Sequence, residues 1–146
     1  MHVSSKSRYA VRALVELALR TGGEVRTVSV ADLASERDLP AQFLEQLFGA
    51  LRRGGLLSSH RGAGGGFAFA RRPEGVSVLD VVEALDGPVS VAACTGGHCD
   101  REDSCGSASV WREAETAFEG VLASTTIADL AERERQQRGG QPMYQI

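Results

Sequence analysis

Residues Phe43–Arg72, FLEQLFGALRRGGLLSSHRGAGGGFAFARR, constrain the fold more than any other stretch of this chain. Leu44, Leu47, Phe48 and Leu51 recur at i, i+3, i+4 and i+7, which puts them on one buried helix face. Glu45, Gln46, Arg52 and Arg53 fall off that face and are long polar or cationic side chains. Gly54-Gly55 ends the helix, because glycine takes the left-handed conformation that closes one. Leu56–His60 reads as a short strand, Arg61–Gly66 as a flexible turn, and Phe67–Ala70 alternates like a returning strand. Helix, strand, arginine-bearing glycine tip, strand is the order of a winged helix-turn-helix. In such a fold the polar helix face enters a DNA major groove and the tip touches the neighbouring backbone or minor groove. A nucleotide-binding glycine loop fits poorly, since it runs from strand into helix and carries Lys-Ser or Lys-Thr. An ordinary hairpin beside an amphipathic helix is the plainer alternative.

The segments upstream extend the pattern. Ser4-Ser5 can cap a helix over Lys6–Leu19, with Ala10, Ala13, Leu14, Leu17 and Ala18 inward. Lys6, Arg8 and Arg12 lie near its start, where cations oppose the helix dipole and are better explained if they meet phosphates. Val25–Val28 is a short strand or extended arm. Ser29, with Asp32 three residues on, opens a brief helix over Val30–Glu36. Arg37–Pro40 is the turn of the helix-turn-helix, with proline in the first turn of the next helix.

Charge divides the chain. Residues 1–75 carry eleven Lys and Arg against seven Asp and Glu, whereas residues 76–146 carry five against twelve. A basic first half suits a polyanion, and an acidic second half should face away from it. No apolar run approaches the roughly 20 residues of a membrane span. The charged N-terminus is no signal peptide, so a cytoplasmic protein is expected.

Beyond the wing, Ser77 with Asp80 opens a helix carrying Leu79, Val82 and Leu85, which Gly87-Pro88 stops. Residues 94–107 are loop by composition. Val110, Trp111, Ala114, Phe118, Val121 and Leu122 mark an amphipathic helix over 108–124 with little left in one winged helix to cover it, so a second subunit is expected there. A last helix starts at Thr126 and runs through Leu130. The expected organisation is a winged helix-turn-helix domain over 1–75, a sensor loop with dimerisation helices over 76–134, and a disordered tail over 135–146.

All three cysteines, Cys94, Cys99 and Cys105, fall within twelve residues. Clustered thiolates in a polar loop suit a soft metal or an iron–sulfur cluster, and an odd count cannot all pair as disulfides. Such centres take four ligands, so His98, Asp100, Glu102, Asp103 or a residue from elsewhere must supply the fourth. Zinc in a Cys3His site using His98 is one rival, and three free, redox-active thiols another. A small thiol redox enzyme is disfavoured: no Cys-x-x-Cys opens a helix, and no Ser/His/Asp set is evident among histidines 2, 60 and 98.

Taken together, these residues resemble the IscR/NsrR branch of the Rrf2 family of bacterial transcription regulators. The likeness is carried by Ser5–Val11, Phe43–Phe48, Leu51–Leu57, Arg61–Phe67, the three-cysteine loop and Trp111-Arg112, in the right order with the right gaps, over residues 1–131. It implies a mostly α fold with a β-hairpin wing, no enzymatic activity, and a homodimer that represses or activates transcription at near-palindromic double-stranded DNA. By position, Gln42, Glu45 and Gln46 would face bases and Arg61 would enter the minor groove. Lys6, Arg8, Tyr9, Arg52, Arg53, His60, Gly62 and Gly64 complete the expected DNA contacts. Trp111, Phe118 and Leu122 would pair the subunits. The resemblance further implies an iron–sulfur cluster on Cys94, Cys99 and Cys105, two-iron in preference to four-iron, through which iron supply, nitric oxide or oxidants alter DNA binding. The chain departs from the family pattern in three places. Ala108 stands where IscR-type proteins have a histidine three residues after the last cysteine. Ser7 and Arg8 stand where some nitric-oxide-sensing relatives have an acidic ligand. The first cysteine gap is one residue short. The fourth ligand is left unassigned.

Overall fold

The computed structural model describes residues 2–140. In chain order the elements are α1 (Ser5–Thr21), α2 (Val30–Arg37), α3 (Ala41–Arg53), β1 (Leu57–His60), β2 (Gly66–Phe69), α4 (Val78–Asp86), α5 (Ala108–Ser124) and α6 (Ile127–Gly139). Short 3-10 turns lie at Pro73–Gly75 and Glu102–Ser104. This is a winged helix-turn-helix with additional C-terminal helices.

Local chemistry explains the helix boundaries. Ser4 caps α1 by accepting from the Ser7 amide, and Gly22, at φ +62°, ends it. Ser29 accepts from the Asp32 amide at the start of α2. Ser77 and Thr126 each form a complete capping box, with Asp80 and Asp129 reaching back to the cap. Pro40 is the residue before α3 rather than its first turn. Asp38, at φ +54°, makes the left-handed bend between α2 and α3. Among non-glycine residues asparagine and aspartate adopt that conformation most readily.

The α3 stripe of Leu44, Leu47, Phe48 and Leu51 is buried, and Phe48 meets Phe67 of the wing edge-on at 5.4 Å. Burying each such side chain contributes about 1.5–3 kcal/mol, so the recognition helix and the wing share one apolar seam. The strands pair antiparallel from Leu57 opposite Phe69 to His60 opposite Gly66. The arm ahead of α2 joins them at a single residue: the Val28 amide donates to the Phe67 carbonyl at 2.9 Å, and the Val28 carbonyl accepts from the Phe67 amide at 3.0 Å.

Three expectations change. Val81 and Val82 are the buried residues of α4, while Leu79 and Leu85 are half-buried. The last helix continues to Gly139, so residues 135–139, expected as disordered tail, are helical; 141–146 lie outside the described residues. The core is not confined to residues 1–75, because Val76, Val81, Ile127 and Ala131 belong to the same buried cluster as Leu14, Leu44 and Phe48. Helix α6 returns to pack on α1. Its start is pinned to the start of α4, where the Val78 amide donates to the Thr125 carbonyl and the Ile127 amide to the Val76 carbonyl, both at 2.9 Å.

A buried carboxylate that the sequence did not single out fastens α6 further. Glu16, on α1, is 3% exposed. It accepts from Arg20 Nε at 3.2 Å, from Arg37 Nε at 3.0 Å and from Arg138 Nη2 at 3.4 Å. Arg37 Nη1 also donates to Glu134 at 3.2 Å. Arg37 Nη2 is 2.8 Å from Glu16 and 2.9 Å from Glu134, yet off the line a hydrogen bond needs, so that contact is purely an ion pair. The network joins α1, the end of α2 and α6.

Candidate nucleic-acid interface and cysteine loop

Gln42, Glu45, Gln46, Arg52 and Arg53 stand exposed on α3, opposite its apolar stripe. Between α3 and the wing runs a concavity of about 420 Å³ that gathers Glu45, Gly49, Arg52, Ser59, His60 and Arg61. Arg52 Nη1 donates to the Ser59 hydroxyl at 3.0 Å, so the recognition helix grips the wing strand as well as exposing charge. Arg61 is exposed where β1 ends, and Gly62 and Gly64 turn the tip with φ of +93° and +75°. Gly66 is required for another reason. At φ +152°, a Cβ there would lie 2.1 Å from the Val28 carbonyl oxygen.

The cations at the start of α1 are partly engaged. Lys6, Arg8 and Arg12 are exposed; Arg8 donates to the Ser5 hydroxyl at 3.0 Å and Arg12 to the Arg37 carbonyl at 3.4 Å. The half-buried ring of Tyr9 packs edge-on against Phe43 of α3 at 6.0 Å. Arg12 and Tyr9 share a concavity of about 450 Å³ with Asp38, Leu39, Pro40 and Phe43. Sequence reasoning missed what fixes this end of α1. Asp86, the last residue of α4, accepts from the Ser4 amide at 3.2 Å, the Ser4 hydroxyl at 2.6 Å and the Ser7 hydroxyl at 2.8 Å. Partial burial would raise the Asp86 pKa, but those hydrogen bonds and the charge of Lys6 hold it below the ordinary value. Nothing in the local pattern around Gly87-Pro88 advertises so distant a pairing.

In the loop between α4 and α5, Cys94 and Cys105 are exposed and Cys99 half-buried, all as free thiols. They line one small cavity of about 20 Å³ together with Thr95, Glu102, Ala108 and Arg112. Two contacts from α5 hold the loop. Glu115 accepts from the Val91 amide at 2.9 Å and from the Thr95 hydroxyl, and Arg112 Nη1 pairs with Glu102 Oε1 at 3.1 Å. The Thr95 and Val91 hydrogen bonds hold the Glu115 pKa below its ordinary value. The Ser107 hydroxyl, 3.3 Å from the Cys105 sulfur, together with the Ser107 and Ala108 amides, lowers the pKa of that thiol and favours thiolate. His98 and Asp100 point to solvent and pair with each other.

The donor set fits the chemistry of an iron–sulfur or zinc centre, with three thiols and one carboxylate around a common cavity. Room for about one water molecule is too little for a multi-atom cluster. Among the described residues no group of three His, Cys, Asp or Glu side chains is drawn close enough to hold a metal ion. To hold such a centre the loop would have to open and the sulfurs to converge.

Helix α5 packs on α4 and holds the cysteine loop, with none of its residues buried. Phe118 and Leu122, expected at a subunit seam, are half-buried, and Phe118 lines a cleft with Val82, Pro88 and Val89. The outward apolar residues are Val110 (50% exposed), Trp111 (42%) and Val121 (66%). Among the described residues no helix is long and apolar enough to cross a membrane.

Comparison with known proteins gives a consistent picture. The family model for Rrf2, described as an iron-dependent transcriptional regulator, matches residues 3–133. The HTH-type transcriptional regulator IscR of Escherichia coli O1:K1 is 36% identical over 131 residues, covering 89% of this chain and 80% of that protein. The solved structure of T. potens IscR superposes with a TM-score of 0.73 at 32% identity, covering 97% of this chain and 94% of the other. CymR, the global cysteine regulator of B. subtilis, superposes with a TM-score of 0.76 at 31% identity, covering 91% and 98%.

Proposed function

Because the chain belongs to the Rrf2 family of transcriptional regulators, we propose that it binds operator DNA as a homodimer and that its three-cysteine loop, carrying an iron–sulfur cluster, sets its operator affinity. The observation that carries the DNA-binding reading is the groove between α3 and the wing, which brings Glu45, Arg52, His60 and Arg61 to one surface while Gln42 and Gln46 stand free beside it. A polar helix face flanked by a cationic hairpin tip matches a major groove and its adjoining backbone. The unpartnered face of Val110, Trp111 and Val121 supports a two-fold dimer through α5. Two such subunits would read half-sites about 34–36 Å apart, one helical turn of DNA. DNA binding of this kind belongs in the cytoplasm.

When bound, a cluster would supply an iron- and redox-dependent cross-link among Cys94, Cys99 and Cys105. The chain's own residues make that loop consequential. Glu115 and Arg112 fasten it to α5, and only seven residues lie between Asp86 and Cys94, with Asp86 clasping the start of α1 beside Lys6 and Arg8. An effector shifts affinity only by its differential free energy in the two states, commonly about 1–3 kcal/mol or roughly 5–150-fold. A second reading, thiol sensing without a metal, is favoured by the exposed Cys105 and its lowered pKa.

One experiment separates the two. Operator affinity and iron content are measured for anaerobically reconstituted wild type and for the triple Cys94→Ala/Cys99→Ala/Cys105→Ala variant. Iron retained by the wild type alone, with a shift in affinity between the two proteins, supports the cluster. Equal affinity overturns the switch. A shift without iron leaves the thiols as the sensor.

A further inference from the structure

Arg37 closes α2 at the turn of the helix-turn-helix, and its guanidinium is held from two sides, by α1 and by α6. The side chain is 10% exposed. Glu16 of α1 accepts from Nε at 3.0 Å and Glu134 of α6 from Nη1 at 3.2 Å, while Nη2 is buried 2.8 and 2.9 Å from the two carboxylates. Arg138, one turn further along α6, donates to Glu134 at 2.8 Å and to Glu16 at 3.4 Å and so bridges the same pair.

The backbone of Arg37 carries the turn. Its carbonyl accepts from Arg12 at 3.4 Å. Asp38 follows at φ +54°, its amide donating to the Ser35 carbonyl at 3.4 Å, and the Leu39 amide donates to the Ala34 carbonyl at 2.8 Å. Only Leu39 and Pro40 then precede Ala41, where α3 opens, and Gln42, Glu45 and Gln46 stand in its first two turns. The proline ring fixes φ at −62°. With so short and so restrained a linker, the direction of α3 follows from where Arg37 is held. Helix α6 is itself set by the C-terminal half: Thr125 and Thr126 alone separate it from α5, and backbone hydrogen bonds tie its start to the start of α4. Glu134 stands roughly 12 Å along the helix from Thr126. A buried ion pair adds little net stability, but removing one partner strands a charge and frees the geometry the pair imposed.

We propose that Glu134 is a positioning residue for the recognition helix: by holding Arg37 together with Glu16, it makes α6 set the angle at which α3 meets the bases. This rests on the operator-binding reading above and not on any cluster. In the test, wild type first enriches a binding duplex from a random-sequence pool. Affinity for that duplex and for an unrelated one, at one salt concentration, is then measured for wild type, Glu134→Ala, Glu134→Gln and Ile127→Val, with urea denaturation and amide exchange at Asp38 and Leu39. Ile127→Val trims the core contact of α6 without touching Arg37, so it lowers stability alone. Glu134→Ala should bind the selected duplex at least about fivefold more weakly, the scale of one lost base contact. Binding to the unrelated duplex, which phosphates carry, should stay as in wild type, and exchange at Asp38 and Leu39 should quicken. Glu134→Gln, whose side-chain carbonyl can still accept from Arg37, should recover most of the affinity. Equal losses in Glu134→Ala and Ile127→Val, a fall of the same size for both duplexes, or no loss in Glu134→Ala overturns the positioning role and leaves operator binding standing. Wild type that enriches no duplex overturns operator binding and this proposal with it.

Discussion

Gly66→Ala is a single-methyl test of how the wing is held. The added Cβ would sit 2.1 Å from the Val28 carbonyl oxygen, 2.6 Å from its carbon and 2.9 Å from Ser29 Cα, all backbone atoms that no rotamer change can clear. The arm must leave β2, breaking the two Val28–Phe67 hydrogen bonds of 2.9 and 3.0 Å. Each contributes about 0.5–1.5 kcal/mol net, and holding an alanine at φ +152° adds roughly 1–3 kcal/mol. A loss of about 3 kcal/mol lowers the melting temperature of a domain this size by roughly 6–12 °C. Thermal and urea denaturation measure it, with Gly64→Ala as the control, because a Cβ at Gly64 meets nothing within 4 Å and only the backbone penalty applies. Operator binding should also fall for Gly66→Ala, since Arg61 rides on the displaced hairpin. Equal melting temperatures for the two variants would refute the view that Val28 anchors the wing.

Arg61→Ala should cost operator binding roughly 1–3 kcal/mol. Arg52→Ala should weaken binding across sequences and flatten the salt slope of log K by about one; titrations at several salt concentrations distinguish them, and unchanged affinity in both would remove the wing from the interface. Trp111→Glu and Val121→Glu place a charge in the outward face of α5 and should yield monomers by sedimentation, whereas a monomeric wild type at micromolar concentration would deny the seam. The Asp86 clasp should be pH-dependent. Its folded pKa lies below the usual value, so its stabilisation is complete above the unfolded carboxylate pKa of about 3.9 and is lost as pH falls through the lower folded value. For so exposed a group the effect is below about 1 kcal/mol. Urea denaturation of wild type and Asp86→Asn should therefore diverge at neutral pH and converge at acid pH; a gap that stays constant would contradict the clasp.

The helix-turn-helix and wing were legible because they are written in local terms: a 3.6-residue stripe, a glycine stop, a two-residue alternation and four serine or threonine caps. The last helix was underestimated for the same reason. After Leu130 its sequence, AERERQQRG, has no apolar period, and what sustains it is ionic: Glu134 and Arg138 pair along the helix and join Arg37 and Glu16 across the fold. The apolar residues of α5 were visible, but not their division between Phe118 and Leu122 turned inward and Val110, Trp111 and Val121 turned outward, because that depends on where α4 lies. The clustering of the three cysteines was visible in the sequence, but not that they line one small cavity with Glu102 and Arg112. Which carboxylate stands beside the thiols is a tertiary fact, fixed by a 3-10 turn and an arginine from the next helix.

The Glu16 network also bears on how the protein is made. Glu16 and Arg138 lie 122 positions apart in the chain, and Ile127 and Ala131 complete the core around residues synthesised near the start. Contacts of such long range close late and slow folding. On the ribosome, α1 to α3 and the wing emerge with their shared core open at one side, and the cysteine loop is translated before the DNA-reading surface has its final support. The complete core therefore forms only after the C-terminal helix has cleared the exit tunnel, and a chain truncated ahead of Ile127 would expose the apolar side of α1 to aggregation.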